Sequence, residues 1–178
     1  MKYIVLLRGI NVSGKNKLKM ADLRAMLADM GFAEVQTYIQ SGNIVLETEE
    51  VTETELEGRI KRQIKATFDY DVPTLVLKAE AWRVVFEGNP FLQNRQEDIT
   101  KLHVTLLAEL PDNELVETLK SVQHKADEFQ IIGKNIYLFC PDGYGRTKFT
   151  NTFFERKLKV AATTRNWKTV TKLAEILA

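Results

Sequence analysis

The sequence predicts an α+β fold built from two similar halves, each a β-α-β-β-α-β unit followed by one extra helix. Three observations carry that expectation. Strand-like and helix-like hydrophobic periodicities alternate in the same order twice along the chain. Short stretches recur in matching order: Tyr3–Leu7 (YIVLL) with His103–Leu107 (HVTLL), Asn43–Leu46 (NIVL) with Asn135–Leu138 (NIYL), and Trp82–Val85 with Trp167–Val170. Each half also sets a glycine-containing pair, Ser41-Gly42 or Gly133-Lys134, between two β-rich runs, which is how a hairpin is written in sequence. A β-α-β-β-α-β order is the ferredoxin-like pattern, with two helices on one face of an antiparallel sheet, so the expectation is internal duplication of a ferredoxin-like unit.

The elements follow from local chemistry. Lys2–Leu7 is almost continuously apolar and reads as a central strand. Met20, Leu23, Met26, Leu27 and Met30 recur at helical spacing, and Gly31 is a natural helix stop. Core packing explains that methionine stripe better than a pliable binding surface does. Glu34–Gln40 and Asn43–Thr48 form the first hairpin. Thr52 with Glu55 makes a capping box for the next helix. The six glutamates between Glu47 and Glu57 precede Arg59, Lys61, Arg62 and Lys65, an order that complements the helix dipole and reads as a solvated face. Pro73–Lys78 is the fourth strand and Ala79–Glu87 a short helix. Gly88-Asn89-Pro90 and the polar residues after it read as a linker over 89–100, between a first half at 1–88 and a second at 101–178. The second half repeats the order with a strand at Leu102–Leu107, a helix at Asp112–Ser121, a hairpin of Asp127–Ile132 with Asn135–Cys140, a helix at Thr150–Leu158, a short strand at Val160–Thr163 and a last helix at Asn166–Leu177.

Composition narrows the function classes. The chain has 178 residues, a 44% apolar fraction and a net charge of +1, so neither disorder nor a global polyanion-binding charge is implied. One cysteine rules out an internal disulfide framework and fits a reducing compartment. The apolar run at Tyr3–Leu7 is short for a signal peptide, and no segment reaches transmembrane length, so a cytoplasmic protein without membrane contact is expected. His103 and His124 are the two histidines, far apart in sequence, which argues against zinc, and no cofactor motif is complete. Cys140 reads as a buried small apolar residue and His103 as a satisfied strand histidine.

Two loops stand out. Gly9 to Lys15 spells G-x-x-x-x-G-K after a strand, the spacing of a phosphate-cradling loop, but Asn16 replaces the hydroxyl residue that would hold Mg²⁺, and the helix starts late, near Met20. If the halves are copies, each is a control for the other. The first half places Arg8–Lys19 between its first strand and first helix, with Arg8, Lys15, Lys17 and Lys19 and no acid. The second half uses only Ala108–Pro111, without a basic residue. The fold does not need the long basic loop, and long loops in compact domains are often functional.

In the second half, Pro141–Lys148 carries Gly143, Tyr144, Gly145, Arg146 and Lys148 just before a helix start, a favourable place for an anion. Gly143 to Lys172 holds eight Lys or Arg and one acid, Glu155. Arg165 and Asn166, at the start of the final helix, are the remaining polar candidates, either for an anion or for a carboxylate partner and an N-cap.

At Arg8-Gly9-Ile10-Asn11, at Tyr38–Asn43 and at Thr163–Trp167, the chain resembles the bacterial domain-of-unknown-function family 1697. The resemblance implies ferredoxin-like halves and no established activity or catalytic residue. The family's recurrent polar positions correspond here to Arg8, Gly9, Asn11, Gln40, Ser41, Asn43, Arg165 and Asn166. The leading expectation is binding of a phosphate-bearing ligand, a nucleotide or nucleic acid, by Arg8, Asn11, Lys15, Lys17, Arg146, Lys148, Arg165 and Asn166, with no cofactor. The alternatives are an enzyme acting on a small anionic metabolite in a cleft between the halves, and a protein-interaction module. Whether the chain is catalytic, and in what oligomeric state it works, does not follow from sequence.

Overall fold

A computed structural model describes residues 1–178. The first half runs β1 (Lys2–Leu7), α1 (Met20–Asp29), β2 (Ala33–Tyr38), β3 (Asn43–Glu47), α2 (Glu53–Phe68), β4 (Thr74–Lys78) and α3 (Ala79–Glu87). The second runs α4 (Pro90–Gln93), β5 (Leu102–Leu107), α5 (Asn113–Leu119), β6 (Glu128–Ile132), β7 (Asn135–Phe139), α6 (Asn151–Leu158), β8 (Ala162–Asn166) and α7 (Trp167–Leu177). The strands form two four-stranded antiparallel sheets, ordered β2-β3-β1-β4 and β6-β7-β5-β8. Both orders are the ferredoxin-like one, and the duplicated α+β architecture is as the sequence pattern predicts. Two compact units result, Met1–Val84 with Lys172–Ala178, and Val85–Thr171. No helix is long and apolar enough to cross a membrane.

The duplication extends to single hydrogen bonds. Where β1 ends, Leu7 N–H donates to Gly42 O (2.8 Å) and Arg8 N–H to Pro73 O (3.0 Å). Where β5 ends, Leu107 N–H donates to Lys134 O (2.9 Å) and Ala108 N–H to Ala161 O (2.9 Å). The registers agree as well: Tyr3 faces Lys78 where His103 faces Asn166, and Val5 faces Val76 where Thr105 faces Thr164.

In the first unit Tyr3, Val5 and Leu7 pack with Met20, Leu23, Met26 and Leu27 of α1 and with Leu56, Ile60 and Ile64 of α2. Each such side chain contributes roughly 1.5–3 kcal/mol on burial. The methionines are therefore core. Ile4, Leu6 and Val45, on the opposite face, are buried too, which is why the strand reads as an unbroken apolar run. Thr52 caps α2, its Oγ1 accepting from Glu55 N–H at 3.2 Å. In the second unit α5 and α6 have only 7 and 8 residues, against 10 and 16 in α1 and α2. Large rings fill the space instead: Phe129, Phe149, Phe153 and Phe154 meet edge to face at 4.8–5.5 Å. Trp82 and Trp167 are both buried.

Three stretches depart from the sequence expectation. Residues 89–100 are not plain linker. Asn89 Oδ1 accepts from Phe91 N–H and starts α4, Ile99–Lys101 forms a 3₁₀ turn, and Arg95 binds Glu128 through two nitrogens while lying over Phe91 and Phe139. The first hairpin turns over four residues, Ile39–Gly42, because Asn43 Nδ2 donates to Tyr38 O and Ser41 Oγ and closes the turn early. The last strand runs Ala162–Asn166, past the expected Thr163, because Thr164 hydrogen-bonds Thr105 at 2.6 Å within the ladder. The helix then begins at Trp167, with Asn166 Oδ1 accepting from Thr169 N–H at 2.8 Å as its cap.

Gly42 sits at φ +78, and a Cβ there would lie 2.6 Å from Leu7 Cβ. Gly133 lies one position earlier in the second hairpin turn, where Lys134 supplies the matching carbonyl, and sits at φ +60 with open space around it. Gly42→Ala is expected to destabilise the protein by more than about 2 kcal/mol, whereas Gly133→Ala costs about 1. Chemical denaturation of the two variants checks the difference.

Candidate functional site

The Arg8–Lys19 loop is a built structure. Val12 and Lys15 form an antiparallel bridge, Lys15 N–H donates to Val12 O at 2.9 Å, and Ser13 (φ 50) and Gly14 (φ 74) are both left-handed. That is a type I′ turn at the tip of a six-residue finger, Asn11–Asn16, closed by Asn11 N–H donating to Asn16 O at 3.1 Å. Asn11 is the staple. Its Nδ2 donates to Leu18 O (2.9 Å) and Gln40 O (2.8 Å), and its Oδ1 accepts from Leu18 N–H (2.8 Å). Asn16 Nδ2 donates to Gly9 O, and Tyr70 Oη to Lys17 O. The side chain of Asn11 thus holds the loop to the first hairpin.

The finger rules out the phosphate-cradle reading of Gly9–Lys15. Gly14 and Lys15 occupy a hairpin tip, Lys15 N–H is already bonded, and α1 begins only at Met20. What the loop presents is positive charge. Lys15, Lys17 and Lys19 are exposed, and their ammonium groups are not tied up by neighbouring carboxylates. Arg8 is half-buried at the root. Beside them lie two exposed aliphatic side chains, Val12 (56%) and Ile39 (49%). Ile39 has φ 51, a costly conformation for a β-branched residue, and it lies in the turn that Asn11 grips.

In the second unit, Arg146 and Lys148 are exposed on the loop after β7. Tyr144 stacks on His103 at 4.6 Å. His103 Nδ1 is buried without a hydrogen-bond partner, and burial pushes the imidazole down to about 4 against a smaller upward pull from the Lys101 backbone. Cys140 is buried, and desolvation, with Asp127 adding to it, pushes the thiol up to about 11, which leaves it a poor nucleophile. Arg165 lies inside β8 and not at a helix start. It is buried, donates to Thr164 O at 3.0 Å, and is lowered to about 10 by burial. Asn166 uses its side-chain oxygen on the α7 cap.

The structure therefore brings Arg8, Asn11, Lys15 and Lys17 together on one loop of the first unit, and Arg146 and Lys148 on one loop of the second. It assigns Asn11 and Asn166 to loop and cap bonds, and Arg165 to a strand interior. Lys19, Val12 and the strained Ile39 also belong to the first site, and spacing alone does not single them out. The sequence signal for them is the Asn-x-Ser-Gly-Lys-Asn run itself, which writes a type I′ hairpin. No group of three or more His, Cys, Asp or Glu side chains is placed to hold a metal ion.

A protein-family model described as "Protein of unknown function (DUF1697)" matches residues 1–137. No curated protein matches the chain. Among solved structures, the conserved bacterial protein SP0830 from Streptococcus pneumoniae is similar, with 27% sequence identity and a TM-score of 0.77 over 99% of this chain and 98% of that one.

Asn11→Ala removes three hydrogen bonds at once and should cost about 2 kcal/mol while raising amide exchange across residues 9–18. His103 is neutral in the fold and binds a proton near 6.5 when unfolded, so the unfolded state takes up more protons between those values. Stability should fall as pH drops from about 6.5 to about 4, by at most about 3 kcal/mol. The difference between the stability–pH curves of the wild type and His103→Phe isolates that contribution.

Proposed function

Because the chain belongs to the DUF1697 family of proteins of unknown function, membership brings no activity with it, and we propose one from the loop itself: the protein binds a phosphate-bearing ligand, a nucleotide or nucleic acid, through Arg8, Lys15, Lys17 and Lys19. One observation carries this reading. The two halves end their central strands with the same pair of hydrogen bonds, yet only the first continues into a stapled cationic finger. The second goes directly to α5 through Ala108–Pro111. A feature that the fold can do without, held in left-handed conformations by four asparagine side-chain bonds, has its use outside folding.

The chemistry favours phosphate. Lysine ammonium groups on an exposed loop are compact point charges that attract polyanions without fixing a planar partner. The pre-ordered loop loses little conformational entropy on binding. Arg146 and Lys148 form a separate exposed basic pair on a loop of the second unit. Val12 and Ile39 offer apolar contact to a sugar or base edge.

The test is fluorescence anisotropy with short RNA and DNA oligonucleotides, and competition by nucleotides, from about 50 to 200 mM salt. Binding is expected to weaken as salt rises. The Lys15→Ala, Lys17→Ala, Lys19→Ala triple variant should lower the slope of log K against log salt by about 2 for a single strand, from roughly 0.7 per lost phosphate contact. Absence of binding at the lowest salt would overturn the reading.

A further inference from the structure

An antiparallel sheet has two edges, so the two sheets have four, and each edge strand carries backbone groups that pair with any extended chain unless something prevents it. Three of the four edges are obstructed. β4 turns the N–H groups of Thr74, Val76 and Lys78 outward, and Glu57 of α2 accepts the Val76 one at 2.9 Å. β8 has the same device, Glu155 of α6 accepting Ala162 N–H at 3.0 Å. β2 is bulged between Ala33 and Gln36, with Glu34 at φ 49. The fourth edge, β6, is regular over all its residues, Glu128 to Ile132.

The register fixes which groups β6 offers. Leu107 N–H bonds Lys134 O, so Ile136 turns its backbone toward β5 and Asn135, Tyr137 and Phe139 turn theirs toward β6. Gln130, opposite Tyr137, is bonded inward. The N–H and C=O groups of Phe129 and Ile131 therefore point away from the sheet. The usual charged guard is missing, because the one acid on the strand, Glu128, is already held by Arg95 at 2.8 and 3.0 Å.

We infer that β6 pairs antiparallel with β6 of a second copy of this chain, about a two-fold axis at Gln130. The strand is self-complementary in that register. Phe129 of one copy faces Ile131 of the other in a hydrogen-bonded pair, twice, and Gln130 faces Gln130. The side chains agree with the backbone. Beneath the edge runs a groove of about 740 Å³ in which Val116, Val122, Phe129 and Ile131 lie beside Lys120, Lys125 and Asp127. Seven-residue α5 leaves it uncovered. Strand pairing puts directly opposite residues on one face, so the second copy brings its own Phe129 and Ile131 to that groove. On the outer face, Ile132, exposed at 49%, comes to face Glu128 of the other copy, beside the Lys134 turn. The contact is isologous and closes at two chains.

Sedimentation velocity of the full chain, from about 1 to 200 µM, tests it, that range spanning the affinities of weak to moderate self-association. The wild type should shift to a dimer with rising concentration. Gln130→Lys puts two ammonium groups directly opposite each other and should raise the dimer Kd by about tenfold or more. Gln130 is exposed, so the variant's thermal midpoint at low concentration should match the wild type. Amide exchange gives a second readout, with protection at Phe129 and Ile131 growing with concentration while that at Gln130 stays constant. A monomer across the whole range, a dimer indifferent to Gln130→Lys, or a dimer in which Phe129 and Ile131 still exchange freely would each overturn the proposal. So would binding of only an unrelated extended peptide at this edge.

Discussion

The end of the central strand governs this molecule. β1 and β5 are each hydrogen-bonded on both sides, and each terminates with two N–H groups donated to the starts of its neighbours. Those bonds fix the register of both neighbours at once, and a one-residue slip would turn every core side chain to the wrong face. They also fix where the chain leaves the sheet. Gly42 is part of the same constraint, since its carbonyl accepts the Leu7 bond and the Leu7 side chain occupies the space a Cβ would need. Beyond that exit point the two connections are free to differ. The first half uses the freedom for a stapled cationic finger and the second for a short link to its helix.

Much of this was legible in the sequence because it rests on period. The apolar run of β1, the methionine and leucine stripe of α1, the Thr52 cap and the paired hairpins all follow from which face each residue must bury. The basic loop was legible for a different reason: the second half shows the fold completed without it. What sequence did not show depends on side-chain reach. Arg165 reads as a surface cation at a helix start, but the Thr105–Thr164 hydroxyl pair extends the ladder and carries Arg165 into a buried strand position. The polar stretch after Gly88 reads as linker because its capping residue, Asn89, and its anchor, Arg95, act through partners on other segments.

The same distinction separates the candidate residues. Asn11 and Asn166 attract notice as polar residues in prominent places, and their side chains are consumed by backbone groups nearby. Polar turn and cap residues look like ligands in a sequence because both roles call for short side chains with two-sided hydrogen bonding. The ammonium groups of Lys15, Lys17 and Lys19 are exposed and paired with no carboxylate. That asymmetry is why the positive charge of the loop, more than its asparagines, carries the functional reading.

Helix length links the core of each unit to its edges. The 16 residues of α2 cover the first sheet and place Glu57 where it can block β4. The second unit does the equivalent with Glu155 on the much shorter α6, and fills its core with phenylalanine rings because its helices supply less aliphatic surface. Rings placed that way reach the sheet margin, and Phe129 lies on it. A short α5 then leaves the margin half-covered, with a groove under a regular strand in which Val116, Val122, Phe129 and Ile131 lie beside Lys120, Lys125 and Asp127. In a protein that guards every other edge, an unguarded one beside exposed apolar surface is stable against aggregation only if something covers it. The simplest cover, requiring no second gene product, is the same strand on another copy.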